Sequence, residues 1–236
     1  MIDFHSHILP EMDDGSKSID ESLRMLKLSF DMGIDTIVST SHYFADCDAI
    51  DSFLNNRNMK QKQLMHELER YRDVPQIVMG AEVTYYSGIS REKEISRLCI
   101  ENTKYLLLEM PFTEWTSLVM KDVHSLIINR GITPIIAHIE RYLPYQQRTR
   151  KIEELLSMGA IFQTNGEAVI NGSQKRNILK MIKTNKIHLL GSDCHNLSER
   201  PPNLDQAFQT ISKKLGNSIL RRIDSDGRRI LKDEFI

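Results

Sequence analysis

Five histidines and four carboxylates of this 236-residue chain lie at or just beyond the ends of short apolar runs. His5 and His7 close the first run, with Asp13 and Asp14 shortly after it. His42 follows the second, Glu82 ends the third, Glu109 the fourth and His138 the fifth, while Asp193 and His195 follow the seventh. A His-x-His pair on a strand points both imidazoles to one side. Taken singly, His5-Ser6-His7 or Asp193-Cys194-His195 reads best as satisfied polar groups at a strand terminus. The set is harder to dismiss. Imidazole and carboxylate ligation without thiolate suits Mn²⁺, Fe²⁺ or Zn²⁺. Nine side chains exceed what one ion needs, which implies two or three ions sharing a bridging carboxylate. Ions about 3.5–4 Å apart can activate water and grip both the attacking and leaving oxygens of an in-line displacement.

Such a cluster needs elements that bring run ends together. The apolar runs Ile2–His5, Ile34–Thr40, Gln76–Glu82, Tyr105–Glu109, Thr133–His138, Ala160–Thr164 and Ile187–Gly191 are mostly continuous, as parallel strands covered on both faces are. Helical patterns lie between them, near 18–32, 50–72, 90–100, 116–130, 148–158 and 173–184, and the tail from Asn203 to Leu231 also reads as helical. Gly33, Gly131 and Gly159 each follow a helix pattern and precede a strand, the usual place for a helix stop. Seven strands alternating with helices, without a repeat or linker, predict one α/β domain over residues 1–236. An open doubly wound sheet would spread the run ends along an edge. A closed or distorted barrel puts them on one face, where barrel active sites sit, so the barrel is favoured.

Composition narrows the function classes. The chain has 31 basic and 32 acidic side chains and a net charge of -1, which gives no electrostatic case for nucleic acid or an anionic membrane. The three cysteines Cys47, Cys99 and Cys194 have no Cys-x-x-Cys spacing and suit a reducing compartment. The start, Met1-Ile-Asp-Phe-His, lacks a signal-peptide pattern, and no run approaches the ~20 apolar residues of a membrane span. The expectation is a cytoplasmic protein of unassigned oligomeric state.

With these residues in view, the sequence resembles the polymerase-and-histidinol-phosphatase (PHP) superfamily. The opening Ile-Asp-Phe-His5-Ser-His7-Ile-Leu-Pro with Asp13-Asp14-Gly15 carries the likeness. So do Ile37-Val-Ser-Thr-Ser-His42, Gly80-Ala-Glu82, Ile135-Ile-Ala-His138-Ile-Glu-Arg141-Tyr142, Ser192-Asp193-Cys-His195-Asn-Leu and Arg200-Pro201-Pro202. More narrowly, it resembles the manganese-dependent protein-tyrosine phosphatases of Gram-positive capsule and exopolysaccharide clusters. The resemblance implies a distorted seven-stranded (β/α)7 TIM-like barrel with three metal sites. His5, His7, Glu82 and Asp193 would hold one ion. Glu82 would bridge to a second, bound by Glu109 and His138. Asp14, His42 and His195 would hold the third, with Asp14 favoured over its neighbour Asp13. Arg141 would bind phosphate, and Asp193 or His42 would move a proton. The implied substrate is a phosphotyrosine protein, the tail of a cognate polysaccharide-synthesis tyrosine kinase. The segment from Ala45 to Arg57 is less like that family.

The chemistry expected is phosphomonoester hydrolysis by direct water attack. Its rival is written in Cys194-His-Asn-Leu-Ser-Glu-Arg200, the Cys-x5-Arg spacing of cysteine-dependent phosphatases. That loop contains no glycine, which a tight phosphate cradle usually wants, and Cys194 reads better as a packing residue. Trp115, Phe112 and Tyr142 read as packing residues with a possible second use in a phosphotyrosine pocket. Arg221-Arg222 and Arg228-Arg229 read as a solvated helical face, and His66, His124 and His188 as structural. Two functions compete with the tyrosine phosphatase: a small-molecule phosphatase such as histidinol-phosphatase, and a non-enzymatic docking role in polysaccharide assembly.

Overall fold

In the computed structural model, which describes residues 1–171 and 173–236, every strand pair is parallel. One ladder joins β1 (Ile2–Ser6), β2 (Thr36–Ser39) and β4 (Gln76–Met79). The other runs in order through β3 (His42–Tyr43), β5 (Glu82–Thr84), β6 (Tyr105–Glu109), β7 (Thr133–Ile136), β8 (Ile161–Asn165) and β9 (Leu189–Gly191). The seven runs read from the sequence thus appear as nine strand segments. Gln76–Glu82 breaks at Gly80-Ala81 into β4 and β5, and Ile34–Thr40 shortens to β2, with β3 resuming at His42. The two breaks face each other, and Gly80 N–H to Ser39 O (2.9 Å) and Glu82 N–H to Thr40 O (3.2 Å) carry the pairing through them.

The sheet curls until its ends meet. Asp193 N–H donates to His5 O (2.7 Å), His7 N–H donates to Cys194 O (2.9 Å), and Ser6 bridges Cys194 in parallel. The buried carboxylate of Asp3 fastens this junction by accepting from the amides of Ser192 (2.9 Å) and His5 (3.1 Å). Burial raises the Asp3 pKa to about 6. The result is an α/β fold whose parallel strands form a curled, barrel-like sheet.

Alternation along the strands builds two cores. Val38, Leu107, Ile135, Ile161 and Leu189 cluster with Ile2 and Phe4, while their sequence neighbours Ile37, Leu106, Ile136, Phe162 and Leu190 pack in a second, larger cluster with the helices. The first lies within the curl, beneath the strand ends. The helices α1 (Ile19–Asp31), α2 (Ile50–Leu68), α3 (Ser117–Arg130), α4 (Lys151–Ser157) and α6 (Lys175–Lys183) follow the expected order, with a short α5 (Gly166–Ile170) that the sequence did not suggest. The helix-stop glycines adopt the left-handed backbone that glycine tolerates, with φ of 86° at Gly33, 63° at Gly131 and 90° at Gly159.

Two helical expectations are corrected. The segment 90–100 forms only 3-10 turns, Ile89–Arg91 and Ile95–Leu98. It is pinned by the buried carboxylate of Asp122 on α3, which accepts from Gly88 N–H (2.9 Å), Tyr85 O–H (2.9 Å) and Ser90 O–H (3.2 Å). The tail divides at Gly216, whose φ of 93° stops a continuous helix, into α7 (Leu204–Leu215) and α8 (Asn217–Ile230). Ile230 of α8 joins the inner cluster. Among the described residues no helix is long and apolar enough to cross a membrane.

Candidate metal centre

The strand ends converge on Glu82, buried at the first residue of β5. Its Oε2 lies 3.1 Å from His5 Nε2, 3.4 Å from His7 Nε2 and 3.1 Å from His42 Nδ1. Its Oε1 lies 2.9 Å from His138 Nε2, which is 3.4 Å from Glu109 Oε1. Across the ring, Asp193 Oδ1 stands 3.5 Å from His5 Nε2 and 3.6 Å from His7 Nε2. Asp14 Oδ1 approaches His195 Nε2 (3.3 Å) and His42 Nε2 (3.6 Å). All nine side chains singled out in the sequence therefore meet at one mouth. Two sit in left-handed backbone just past their strands, His138 at φ 32° and Asp193 at φ 54°. Non-glycine residues held there signal strain that functional sites tend to store.

A second set of residues, most of them illegible as chemistry in the sequence, holds the first. Asp13 accepts from His7 Nδ1 (2.8 Å) and from the amides of Gly15 and His42 (2.9 Å each), so it backs His7 while its neighbour Asp14 faces the ring. Gln163 Oε1 accepts from His138 N–H (2.7 Å) and lies 3.4 Å from His5 Nδ1; Thr84 O–H donates to Glu109 (2.9 Å). Gly191 leaves room for His5: a Cβ there would lie 2.5 Å from His5 Cβ and 2.6 Å from Gln163 Nε2. The amides were missed because β8 was the one run without a terminal histidine or acid. Its polar Gln163-Thr164-Asn165 ending was the available signal.

The electrostatics follow from crowding. Burial opposes a charge on His7, yet Asp13 and Glu82 outweigh it and lift its pKa to about 10; His138 rises to about 9 because Glu109 and Glu82 likewise overcome burial. Burial, reinforced by the charge of His7, lowers His195 to about 4. Burial would raise Glu82, but its histidines hold it well below the usual carboxylate range. Glu82 Oε2, His42 Nδ1, His138 Nδ1 and His195 Nε2 are buried without a hydrogen-bond partner. Such orphans cost roughly 1–3 kcal/mol each, and a cation bound in the ring would satisfy those that face it, Glu82 Oε2 and His195 Nε2. Nitrogen and oxygen atoms within 4.8 Å of one another group as His7, Asp14, His42 and His195; as His5, His7 and Asp193; and as His42, Glu82 and Glu109. This all-N/O donor set fits a divalent ion.

Beside the ring the site is basic. Arg141 Nη2 lies 2.6 Å from Asp193 Oδ2, Arg200 Nη2 lies 2.7 Å from the same oxygen, and Asn165 donates to it at 2.8 Å. These residues line a cleft of about 350 Å³. Glu140, the neighbour of Arg141, accepts from Thr164 O–H (2.7 Å) and so does not pair with it. The sequence gives Arg200 a place in the Cys-x5-Arg spacing and in the Arg200-Pro201-Pro202 match but no role, and the structure puts it on Asp193. That pattern forms no phosphate cradle. The amides of Ser198, Glu199 and Arg200 all donate to Asn196 Oδ1, and those of His195 and Asn196 to Arg200 O. Burial pushes the Cys194 thiol pKa upward, away from the thiolate a nucleophile needs. Trp115 and Tyr142 are buried packing residues, and Tyr142 O–H accepts from Met110 N–H (2.9 Å). His66 and His124 lie exposed on helices, and His188 Nδ1 accepts from Phe162 N–H (3.1 Å).

Comparison with known proteins identifies relatives over the whole chain. The chain is 32% identical to the tyrosine-protein phosphatase CpsB of Streptococcus agalactiae over the full length of both. It is 29% identical to the tyrosine-protein phosphatase YwqE of Bacillus subtilis, covering 100% of this chain and 93% of that protein. Its fold superposes with a TM-score of 0.87, at 27% identity and covering 100% and 96% of the two chains, on a structure from the work on YwqE of Bacillus subtilis and CpsB of Streptococcus pneumoniae, described as metal-dependent tyrosine phosphatases. A candidate histidinol phosphatase from Listeria monocytogenes shares the fold at a TM-score of 0.52 and 14% identity, covering 92% and 99%. The family model described as capsular polysaccharide synthesis, CpsB/CapC, matches residues 1–231. The chain belongs to the CpsB/CapC family of capsular polysaccharide synthesis.

Proposed function

We propose that this chain is a metal-dependent protein-tyrosine phosphatase, acting on the tyrosine tail of a cognate polysaccharide-synthesis kinase in the cytoplasm. The observation that carries the reading is Asp193. Its Oδ1 faces the His5–His7 pair while its Oδ2 takes Arg141 and Arg200, so one carboxylate joins a ligand ring to an anion clamp. We assign His5, His7, Glu82 and Asp193 to one ion, Glu82, Glu109 and His138 to a second, and Asp14, His42 and His195 to a third, with Mn²⁺ as the native metal. Bound there, the ions would supply an activated water and neutralise phosphoryl charge. The finer architecture, a distorted seven-stranded barrel forming one domain over residues 1–236, is supported by the Ser6–Cys194 bridge that joins the sheet ends.

The protein's own residues do the rest. Arg141 and Arg200 converge from two loops and can meet two phosphoryl oxygens with planar forks. Asn165 steadies Asp193, and Asp193 or His42 moves the proton in this reading. A tyrosine ester suits this site because its phenol leaving group has a pKa of about 10, against about 15.7 for bulk water, which an alkoxide leaving group resembles. The test is a substrate panel under Mn²⁺. Phosphotyrosine peptide should be hydrolysed with higher kcat/KM than phosphoserine peptide or histidinol phosphate, and chelation should abolish the activity. A preference for histidinol phosphate would make this a small-molecule phosphatase, and no hydrolysis under any divalent metal would leave a docking protein.

A further inference from the structure

Two large aromatic side chains stand exposed at the mouth and belong to neither core. Phe44 is 42% exposed and stacks on His42, with ring centroids 5.2 Å apart and planes at 27°. Phe112 is 43% exposed and stacks on His138 at 5.9 Å and 15°. The histidines beneath them touch different oxygens of Glu82, His42 at Oε2 and His138 at Oε1, so the two rings flank the same carboxylate. Each leaves two-fifths of its ring surface in water, Phe112 even while it packs on the buried Tyr142 at 5.3 Å, and an exposed aromatic face forgoes that share of its hydrophobic contribution. Phe44 opens the loop after β3, and Phe112 follows Met110-Pro111 beyond β6. Both loops leave the strand ends where the ligand ring lies.

We infer that Phe44 and Phe112 form an aryl clamp that selects phosphate esters of phenols over those of alcohols. The inference rests on the phosphatase reading and deepens it by naming the residues that recognise the leaving group. A phosphoryl group seated on the ligand ring and held by Arg141 and Arg200 must project its ester oxygen outward. An aryl group on that oxygen would enter the space the two rings border. Aromatic pairs prefer offset-stacked or edge-to-face contact at centroid separations of 4.5–7 Å. A serine or histidinol ester offers the clamp no ring next to phosphorus and gains nothing from it.

The experiment compares Phe44→Ala, Phe112→Ala and the bulk-retaining Phe44→Leu and Phe112→Leu with wild type, all loaded with Mn²⁺. Each is assayed on phosphotyrosine and phosphoserine peptides of one sequence, with inorganic phosphate as inhibitor. Each Ala variant should raise KM for the phosphotyrosine peptide roughly 2- to 10-fold. Its efficiency on phosphoserine should fall much less, and its phosphate inhibition and metal content should stay at wild-type values. The Leu variants should lie between. An unchanged ratio of phosphotyrosine to phosphoserine efficiency in all four variants overturns the clamp and leaves the phosphatase reading intact. Loss of metal alongside kcat also overturns it, making the rings supports for His42 and His138. A wild-type enzyme with no aryl preference overturns the tyrosine-phosphatase reading and the clamp with it.

Discussion

Arg141 is 39% exposed and makes a short ion pair with Asp193, a carboxylate also held by Arg200 and Asn165. The guanidinium is partly in water while the carboxylate is buried, and removing Arg141 leaves Asp193 with two partners. Because Arg200 and Asn165 keep that carboxylate paired, Arg141→Ala should cost stability little, about 1 kcal/mol, as for the loss of one hydrogen bond. For a chain of this size that is a Tm shift of at most ~4 °C. Catalysis should respond differently. A charged contact that strengthens as phosphoryl charge develops is worth about 2.7–4 kcal/mol, or roughly 100- to 1,000-fold in turnover. Arg200, on the same Asp193 oxygen, can cover part of the loss, which puts the single variant near the lower bound. Arg141→Lys should rescue little, because an ammonium cannot reproduce the bidentate fork. Arg200→Ala should resemble Arg141→Ala, and the double variant should lose more turnover than the product of the two single losses, with a coupling of about 0.5–3 kcal/mol as for residues sharing a partner. The assay is initial rates on a phosphotyrosine peptide under saturating Mn²⁺, with elemental analysis and Tm on the same preparations. Turnover within a few-fold of wild type in both Arg141 variants would remove Arg141 from the anion clamp. A parallel fall in bound metal would make it a support for Asp193.

Four further outcomes are expected. Cys194→Ser should keep most of the activity while chelation abolishes it and Mn²⁺ restores it; a metal-loaded but inactive serine variant would revive the cysteine mechanism. Glu82→Ala should lower metal content at two sites and His195→Ala chiefly at one, by elemental analysis, and wild-type stoichiometry in Glu82→Ala would sink the bridging assignment. Gly191→Ala should destabilise by about 1–3 kcal/mol, as overpacked cores do, and weaken metal retention by displacing His5; an unchanged Tm would contradict the close approach. The His188 pKa is lowered to about 4, first by burial and then by the charge of Arg222, so folding favours its neutral form. That stability is present above the unfolded value of about 6.5 and is lost as pH falls toward 4. His188→Gln, which can still accept from Phe162 N–H, should flatten the drop in urea midpoint between pH 7 and 5, and an unaltered slope would refute the assignment.

What was legible in the sequence divides along a physical line. A parallel strand buried on both faces has to be apolar until it reaches the mouth, so His5, His42, Glu82, Glu109, His138 and Asp193 announce themselves by ending apolar runs. Strand existence follows from the same runs, and the helix stops from glycines that need positive φ. Strand continuity does not follow, because the breaks at Thr40-Ser41 and Gly80-Ala81 arise where two neighbouring strands bend together as the sheet curls. Nor does the failed helix at 90–100, which depends on Asp122, a residue some 30 positions away. The same distinction separates ligand candidates from their supports. A histidine or carboxylate at the end of an apolar run advertises its chemistry by type and place, whereas Gln163, Asn165 and the mid-strand Asp3 act through backbone amides and carboxylates that only the closed curl brings within reach. Arg200 shows the limit most clearly. Its spacing from Cys194 suggested one mechanism, but the loop between them turns its amides onto Asn196 and delivers the guanidinium to Asp193. A motif defined by spacing assumes a loop conformation, and here a single asparagine side chain accepts from three loop amides, so the nominal cysteine cradle instead places a second arginine on Asp193.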